Sequence, residues 1–298
     1  MCGIVGLFLK DRELQPFLGA LISEMLVTMT DRGPDSAGIA IYGNEKGSDS
    51  KLTVQSENPR SDFPSLASDL GEAIDSVVEI EEKDTHAVIR VPSNRIDTAK
   101  EALNMIRDDL RLMSLGKSIE IFKEVGLPKE FISRFNIASM SGSHGVGHTR
   151  MATESAVTTL GAHPFSTGSD QCLVHNGSLS NHNSLRRKLV RQGIQIETEN
   201  DSEVAAAYLT QKIQNGQTLD EALTCSLEDL DGFYTFLVGT RKGFGVLRDP
   251  IACKPAVMAE TNQYVAFGSE YRALVSLPDI DNANVWEPEP ATVYFWEH

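Results

Sequence analysis

MCGIVGLF, residues 1–8, opens the chain. A cysteine directly behind the initiator methionine can be incidental. It can also place a thiol and a free α-amine on one residue, once Met1 is removed. Removal of the methionine is favoured when the second residue is small, as Cys2 is. Behind Cys2 runs a short apolar stretch that stops at Lys10, Asp11, Arg12 and Glu13. That pattern predicts a buried strand over residues 2–9. It is too short for a membrane span and lacks the layout of a secretory leader.

Working outward, residues 15–30 carry helical periodicity, with Pro16 near the start. The loop TDRGPDS and a second apolar strand, 37–43, come next. Between about 52 and 143 the text changes. LTVQS and HAVIRV read as strands, 66–82 and 98–113 as amphipathic helices, and GLPKEFISRF as a short one. This stretch holds few chemistry-bearing motifs, and an inserted α+β module over 44–143 is expected within a single domain of 1–298. Motifs return at Gly142. Helices are predicted over 181–193, 202–215 and 218–227, with Ser180 or Asn181 capping the first and Ser202 capping the second. Afterwards GFYTFLVGT, GFGVLRDP, PAVMAE and QYVAFGS form a strand meander with turns at 249–250 and 261–262. Strands, then helices, then a meander is not βαβ alternation. It predicts an α+β fold of antiparallel sheets with segregated helices. No glycine-rich phosphate loop follows a strand, so no nucleotide cofactor is expected.

The 298 residues hold 42 acidic against 27 basic side chains, a net charge of −15. Such a surface repels nucleic acid and anionic membranes. The cysteines Cys2, Cys172, Cys225 and Cys253 show no paired spacing, which fits a reduced, cytoplasmic setting. Cys172 and Cys253 sit in apolar text and read as small buried side chains.

Four elements carry the chemistry. Cys2 can pair its thiol with its own α-amine, whose pKa near 8 makes it a base at neutral pH. Asn176 and Gly177 offer a side-chain amide and an unobstructed N–H to an oxyanion, although Asn-Gly is equally a turn dipeptide. Arg150, read as lying in a tight loop with Thr153, suits bidentate capture of a carboxylate or a structural ion pair. Asp201, ahead of a helix, can hold an ammonium group or simply complement the helix dipole. Together they suggest a nucleophile with its base, an oxyanion pair, and one charge of each sign for the head of an α-amino acid. Glutamine fits that layout. His148, His163, His175 and His182 match no metal-ligand spacing, and hydrogen-bonded structural roles are expected for them, with no metal.

The ordered set MCGIVG, DRGPDSAG, GHTRMATES, AHPF, VHNG, ENDSE, LRDPIACKP and FGSEYRAL resembles the class II glutamine amidotransferases over residues 2–43 and 144–296. The resemblance implies a four-layer αββα sandwich of the N-terminal-nucleophile (Ntn) hydrolase type. It implies Cys2 as nucleophile, Asn176 and Gly177 as the oxyanion hole, Arg150 with Thr153 for the glutamine carboxylate, and Asp201 for its ammonium. Arg32 would support the N-terminus. HTRMATESAV, HNGSLSNHN and DPIACKPAVMAE are similar to the stand-alone amidotransferase subunit of N-methylglutamate synthase. That likeness implies separate glutamate-synthase-like, FMN-binding partner subunits that consume the ammonia. Met151 and Glu154 depart from the tryptophan and histidine of the glucosamine-type enzymes. A catalytically silent subunit, or an Ntn hydrolase of another amide, are the competing readings.

Overall fold

A computed structural model describes every residue of the chain except 1, 44 and 153–155. The first strand, β1 (Gly3–Leu9), is buried along its whole length. Its side chains alternate between two cores. Ile4 and Phe8 face one, and Val5, Leu7 and Leu9 face the other. Period-two alternation with both faces apolar is what a strand covered on both sides requires. Pro16 lies in a 3-10 turn, Arg12–Phe17, so the regular helix α1 (Leu18–Thr28) starts later than the periodicity suggests. A second 3-10 turn, Thr30–Arg32, leads into β2 (Ser36–Tyr42).

The next stretch contains β3 (Asp49–Gln55), the single turn α2 (Pro59–Asp62), α3 (Leu66–Ile74), β4 (Glu79–Lys83), β5 (His86–Pro92), α4 (Ile96–Ile106) and β6 (Arg111–Gly116). Two expected helices are therefore shorter than the sequence suggested. Residues 66–82 stop being helical at Ile74 because Asp75 turns left-handed, at φ 47°. Residues 98–113 stop at Ile106, where Arg107 becomes extended. In each case a strand occupies the remainder. Then come β7 (Ile119–Val125), α5 (Pro128–Arg134), β8 (His144–Arg150) and β9 (Gln171–Leu179). Three helices come after them, α6 (His182–Arg191), α7 (Asp201–Gln214) and α8 (Leu219–Asp229). Ser202 does not cap α7. The Asn200 side chain does, accepting from the Ser202 N–H at 2.9 Å. Asn181 stands at the N-cap of α6 but makes no cap hydrogen bond, its side chain being used to bind Asp229 O and Asp231 N. The remaining strands are β10 (Gly232–Thr240), β11 (Gly243–Arg248), β12 (Val257–Glu260), β13 (Tyr264–Gly268), β14 (Asn284–Trp286) and β15 (Val293–Glu297).

The strands form a seven-stranded sheet, β14-β12-β13-β1-β8-β2-β7, and a four-stranded sheet, β15-β11-β10-β9. The pairings within both are antiparallel. Ile4, Phe8, Ala40, Val174, Leu237 and Val246 fill the space between them. At Gly6 the sheets come so close that a Cβ would meet Leu237 at 2.5 Å. Helix α1 covers the outer face of the larger sheet, and α6, α7 and α8 that of the smaller. The result is an αββα sandwich of N-terminal-nucleophile hydrolase type.

The segment 44–143 divides. A separate sheet, β4-β5-β3-β6, carries α3 and α4 on a core of its own. The following strand, β7, is the edge of the seven-stranded sheet. Cys172 is buried in β9 as expected, but Cys253 is exposed. It lies on a surface loop whose carbonyls at Ala252 and Lys254 are gathered by the Arg248 guanidinium, leaving its side chain outside. Among the described residues no helix is long and apolar enough to cross a membrane.

Candidate active site

Cys2 stands at the mouth of β1. Gly3 pairs with Thr149 across the β1–β8 ladder, so Cys2 and Arg150 leave neighbouring strand ends. Gly3 is required here, since a Cβ would lie 2.7 Å from both Met29 and Thr149. The Cys2 thiol is partly exposed, 3.9 Å from Met151 O. Its carbonyl is the focus of the site. It accepts from Arg32 Nε at 2.9 Å and from Asn176 Nδ2 at 3.3 Å. These donors arrive from the turn before β2 and from the other sheet, so the residue just ahead of the first strand is gripped from both layers.

Arg32 is buried and holds Glu270 through Nη1 at 2.6 Å. Glu270 also receives Arg272 Nε at 2.7 Å. The Arg32 hydrogen bond and the two guanidinium charges hold the Glu270 carboxyl below its ordinary pKa. Just before it, Ser269 exchanges two bonds with Ile4. Its Oγ accepts from Ile4 N–H, and its own N–H donates to Ile4 O, both at 2.9 Å.

Arg150 is not in a loop. It is the last residue of β8, buried, and opposite Ser36 of β2. The backbone there is packed from behind by Gly33, where a Cβ would lie 2.4 Å from Thr149 C. Its Nη1 donates to Ala156 O at 3.3 Å. Asp35 anchors the exit of the strand. Its N–H donates to Arg150 O at 3.1 Å and its carboxylate accepts from Ala152 N–H at 2.8 Å. Thr153 and Glu154 lie outside the described residues.

Asn176 and Gly177 are not a turn either. They sit inside β9, opposite Thr235 and Tyr234 of β10. Gly177 has φ 158°, and an added Cβ would strike Phe233 O at 2.0 Å. Asp201 is the first residue of α7, where a negative charge complements the helix dipole. Its Oδ2 accepts from Leu179 N–H at 2.9 Å, tying it to the end of β9.

The four histidines are fixed in different ways. His148 Nε2 donates to His175 O at 3.2 Å, and His163 stacks on His148 at 4.1 Å. His182 Nδ1 donates to Leu179 O at 2.6 Å. His175 Nδ1 and Ser202 Oγ share a hydrogen bond of 2.9 Å. Burial pushes His148 down to about 3, and His163 and His175 below their ordinary values. Asp201, 3.8 Å from the His175 ring, opposes that downward shift.

The structure thus brings Cys2, Arg32 and Asn176 into direct contact. It links Arg150 to Cys2 by strand pairing and Asp201 to Gly177 through the end of β9. Asp35, Ser269 and Glu270 were not singled out from the sequence. Their signal was present, since they belong to the same blocks, DRGPDSAG and FGSEYRAL, that carry the resemblance.

An αββα sandwich with a cysteine at the open end of its first central strand defines the class. Residues 148–276 match the family described as glutamine amidotransferase domain. The chain is 66% identical over 299 residues to the glutamine amidotransferase-like protein GlxB of Rhizobium meliloti, covering 100% of this chain and 99% of that one. It is 29% identical over 165 residues to the amidophosphoribosyltransferase of Methanocaldococcus jannaschii, covering 54% of this chain and 35% of that enzyme. Among solved structures, the glutamine phosphoribosylpyrophosphate amidotransferase from B. subtilis, complexed with ADP and GMP, superposes with a TM-score of 0.64 at 20% identity. That superposition covers 99% of this chain and 47% of the other, so the chain spans about half the length of that enzyme. The protein belongs to the class II glutamine amidotransferase family.

Proposed function

We propose that the chain is a glutaminase subunit that hydrolyses glutamine to glutamate and ammonia through a thioester on Cys2. The observation that carries the reading is the double grip of Arg32 and Asn176 on the Cys2 carbonyl, which fixes a thiol at an open strand end. Removal of Met1 leaves Cys2 with a free α-amine. That amine takes the thiol proton as Sγ attacks the glutamine Cδ. Asn176 Nδ2 and the Gly177 N–H hold the oxyanion, each donor lowering the barrier by about 3 kcal/mol. The C–N bond breaks as the amine returns its proton to departing ammonia. Water then attacks the thioester, the C–S bond breaks, and glutamate leaves with the thiol restored.

Arg150, with Thr153, holds the substrate carboxylate, and Asp201 holds its ammonium. The place of this carboxylate at the start of α7, tied to the end of β9 that carries Gly177, supports the second role. Arg32 acts by fixing the N-terminus. The 49–116 sheet is an insert in a single amidotransferase domain. The ammonia passes to a glutamate-synthase-like partner of the N-methylglutamate synthase type. The likeness of HTRMATESAV and HNGSLSNHN to that subunit supports this partner.

Mass spectrometry of the N-terminal peptide, after exposure to a glutamine-mimicking diazoketone, tests the reading. Met1 absent and the label on Cys2, blocked by excess glutamine, is the expected result. An unlabelled Cys2 in folded protein would make the chain a silent subunit. Labelling that glutamine does not block would point to another amide substrate.

A further inference from the structure

We propose that Lys123 is a positioning residue for glutamine capture, its buried ammonium pinning the 160–164 backbone that walls in Arg150. The inference rests on the role proposed above for Arg150. Lys123 lies on β7, the edge strand that the chain enters directly from the third sheet. Its Nζ donates to Ala162 O at 2.9 Å, to Leu160 O at 3.1 Å and to Pro164 O at 3.4 Å. It also lies 4.6 Å from the centre of the Phe165 ring. An ammonium has three protons, and here three carbonyls of one short segment take them. Burying a cation is unfavourable unless it is well paired. Among the described residues no carboxylate reaches ion-pair distance, in contrast with Lys51, which holds Glu120 at 2.8 Å. The charge on Lys123 therefore serves the backbone of this segment.

The segment meets the site at its other side. Arg150 Nη1 donates to Ala156 O, and Gly161 comes so close that an added Cβ would lie 3.3 Å from the same nitrogen. His163 O fits into the space left by Gly38, where a Cβ would sit at 2.0 Å, and the His163 ring stacks on His148, two residues before Arg150 in β8. Thr159 Oγ1 donates to Glu124, the neighbour of Lys123. A rigid 156–165 segment fixes where the guanidinium points, and a planar guanidinium binds a carboxylate well only when so directed.

Burial pushes Lys123 down to about 8. Glu203 and Glu197 oppose that shift and Arg150 adds to it. His163 and His86 also feel its charge, and both are kept neutral by burial. The ammonium predominates at neutral pH and is lost as the pH rises through about 8, when the charge goes and one of the three donors with it.

The test combines steady-state glutamine hydrolysis with hydrogen exchange of 156–165 in the full-length protein, K123M and K123R. K123M should raise the KM for glutamine about tenfold while kcat changes less than about threefold, the signature of lost ground-state positioning. Exchange should quicken in 156–165 and not in β10. K123R should recover most of the KM, and should flatten the rise in wild-type KM between about pH 7 and about pH 9, because guanidinium does not titrate there. A wild-type KM in K123M, or a loss of kcat with faster exchange throughout, overturns the proposal. If K123M does not fold, the KM profiles of wild type and K123R decide alone. Should the wild type turn over no glutamine, the glutaminase reading fails. The exchange of 156–165 across the same pH range then decides whether Lys123 holds the segment.

Discussion

In the two sheets that carry the site, single backbone groups are held by side chains from far along the chain. Cys2 O is bound from Arg32 and Asn176, and Ile4 N–H from Ser269. In the third sheet, Leu52, Phe63, Leu66, Leu70, Ile89 and Leu103 make a local apolar core, and its polar links to the rest of the molecule lie at its rim, as at Arg90–Glu120, Asp84–Arg134 and Thr85–Glu124. Lys51 reaches Glu120 and the carbonyls of Gly43 and Ser118, and Glu45 pairs with Arg241. Around Cys2 directional bonds converge on one residue, and in the third sheet they lie at the rim of an apolar core. Where only stability is needed, non-directional burial suffices.

That contrast can be broken at several points. Asn176→Ala should cut kcat by roughly a hundred- to a thousandfold while costing only about 1 kcal/mol of stability, measured by steady-state kinetics and calorimetry. The reverse is expected of Leu70→Ala in the third sheet. It should cost about 3 kcal/mol in urea unfolding, with KM and kcat of the folded fraction unchanged. A kinetic defect in Leu70→Ala would show that the two regions are not energetically separate.

Acid sharpens the comparison. Burial pushes His86 of β5 and His144 and His148 of β8 from 6.5 down to about 3. Below pH 6.5 the unfolded chain binds protons that the folded chain refuses, so stability is full above that pH and falls as the pH drops. From these three groups alone a loss on the order of 5 kcal/mol between about pH 6.5 and about pH 5 is expected in urea melts, and His86→Gln should remove about a third of their share. The smallest effect belongs to Arg241→Ala. Its pair with Glu45 is half-exposed, and removal should cost less than about 1 kcal/mol.

The sequence announced the site more clearly than the strands that hold it. Cys2, Asn176, Arg150 and Asp201 stood out as a set by their chemistry, and Arg32 only by the family resemblance. The strands β8 and β9 were not, since HGVGHTR and QCLVHNGSL interrupt their apolar positions with His, Thr, Asn and Gly. Those polar residues are buried with partners supplied by distant elements, such as Met29 O for Thr149 and Ser202 for His175. A local pattern cannot contain such partners. The same reason hid β7, where Glu120 and Lys123 are buried against Lys51 and the 160–164 carbonyls. Strand β4 was concealed differently. Its EIEEK is mostly exposed at a sheet edge, and it was read as the continuation of α3.

The position of β1 has a consequence for the order of synthesis. It pairs with β8, residues 144–150, on one side and β13, residues 264–268, on the other. β1 is made before both of its neighbours and must wait for β13 to complete its pairing. At translation rates of about 5–20 residues per second, that interval is roughly 15–50 s. During the first half of it the apolar run GIVGLFL lacks both neighbours, and after β8 is made it still lacks β13. Glu270, the anchor of Arg32, arrives later still. Arg32 and Asn176, which bind the Cys2 carbonyl, are therefore made before Glu270, the group that anchors Arg32.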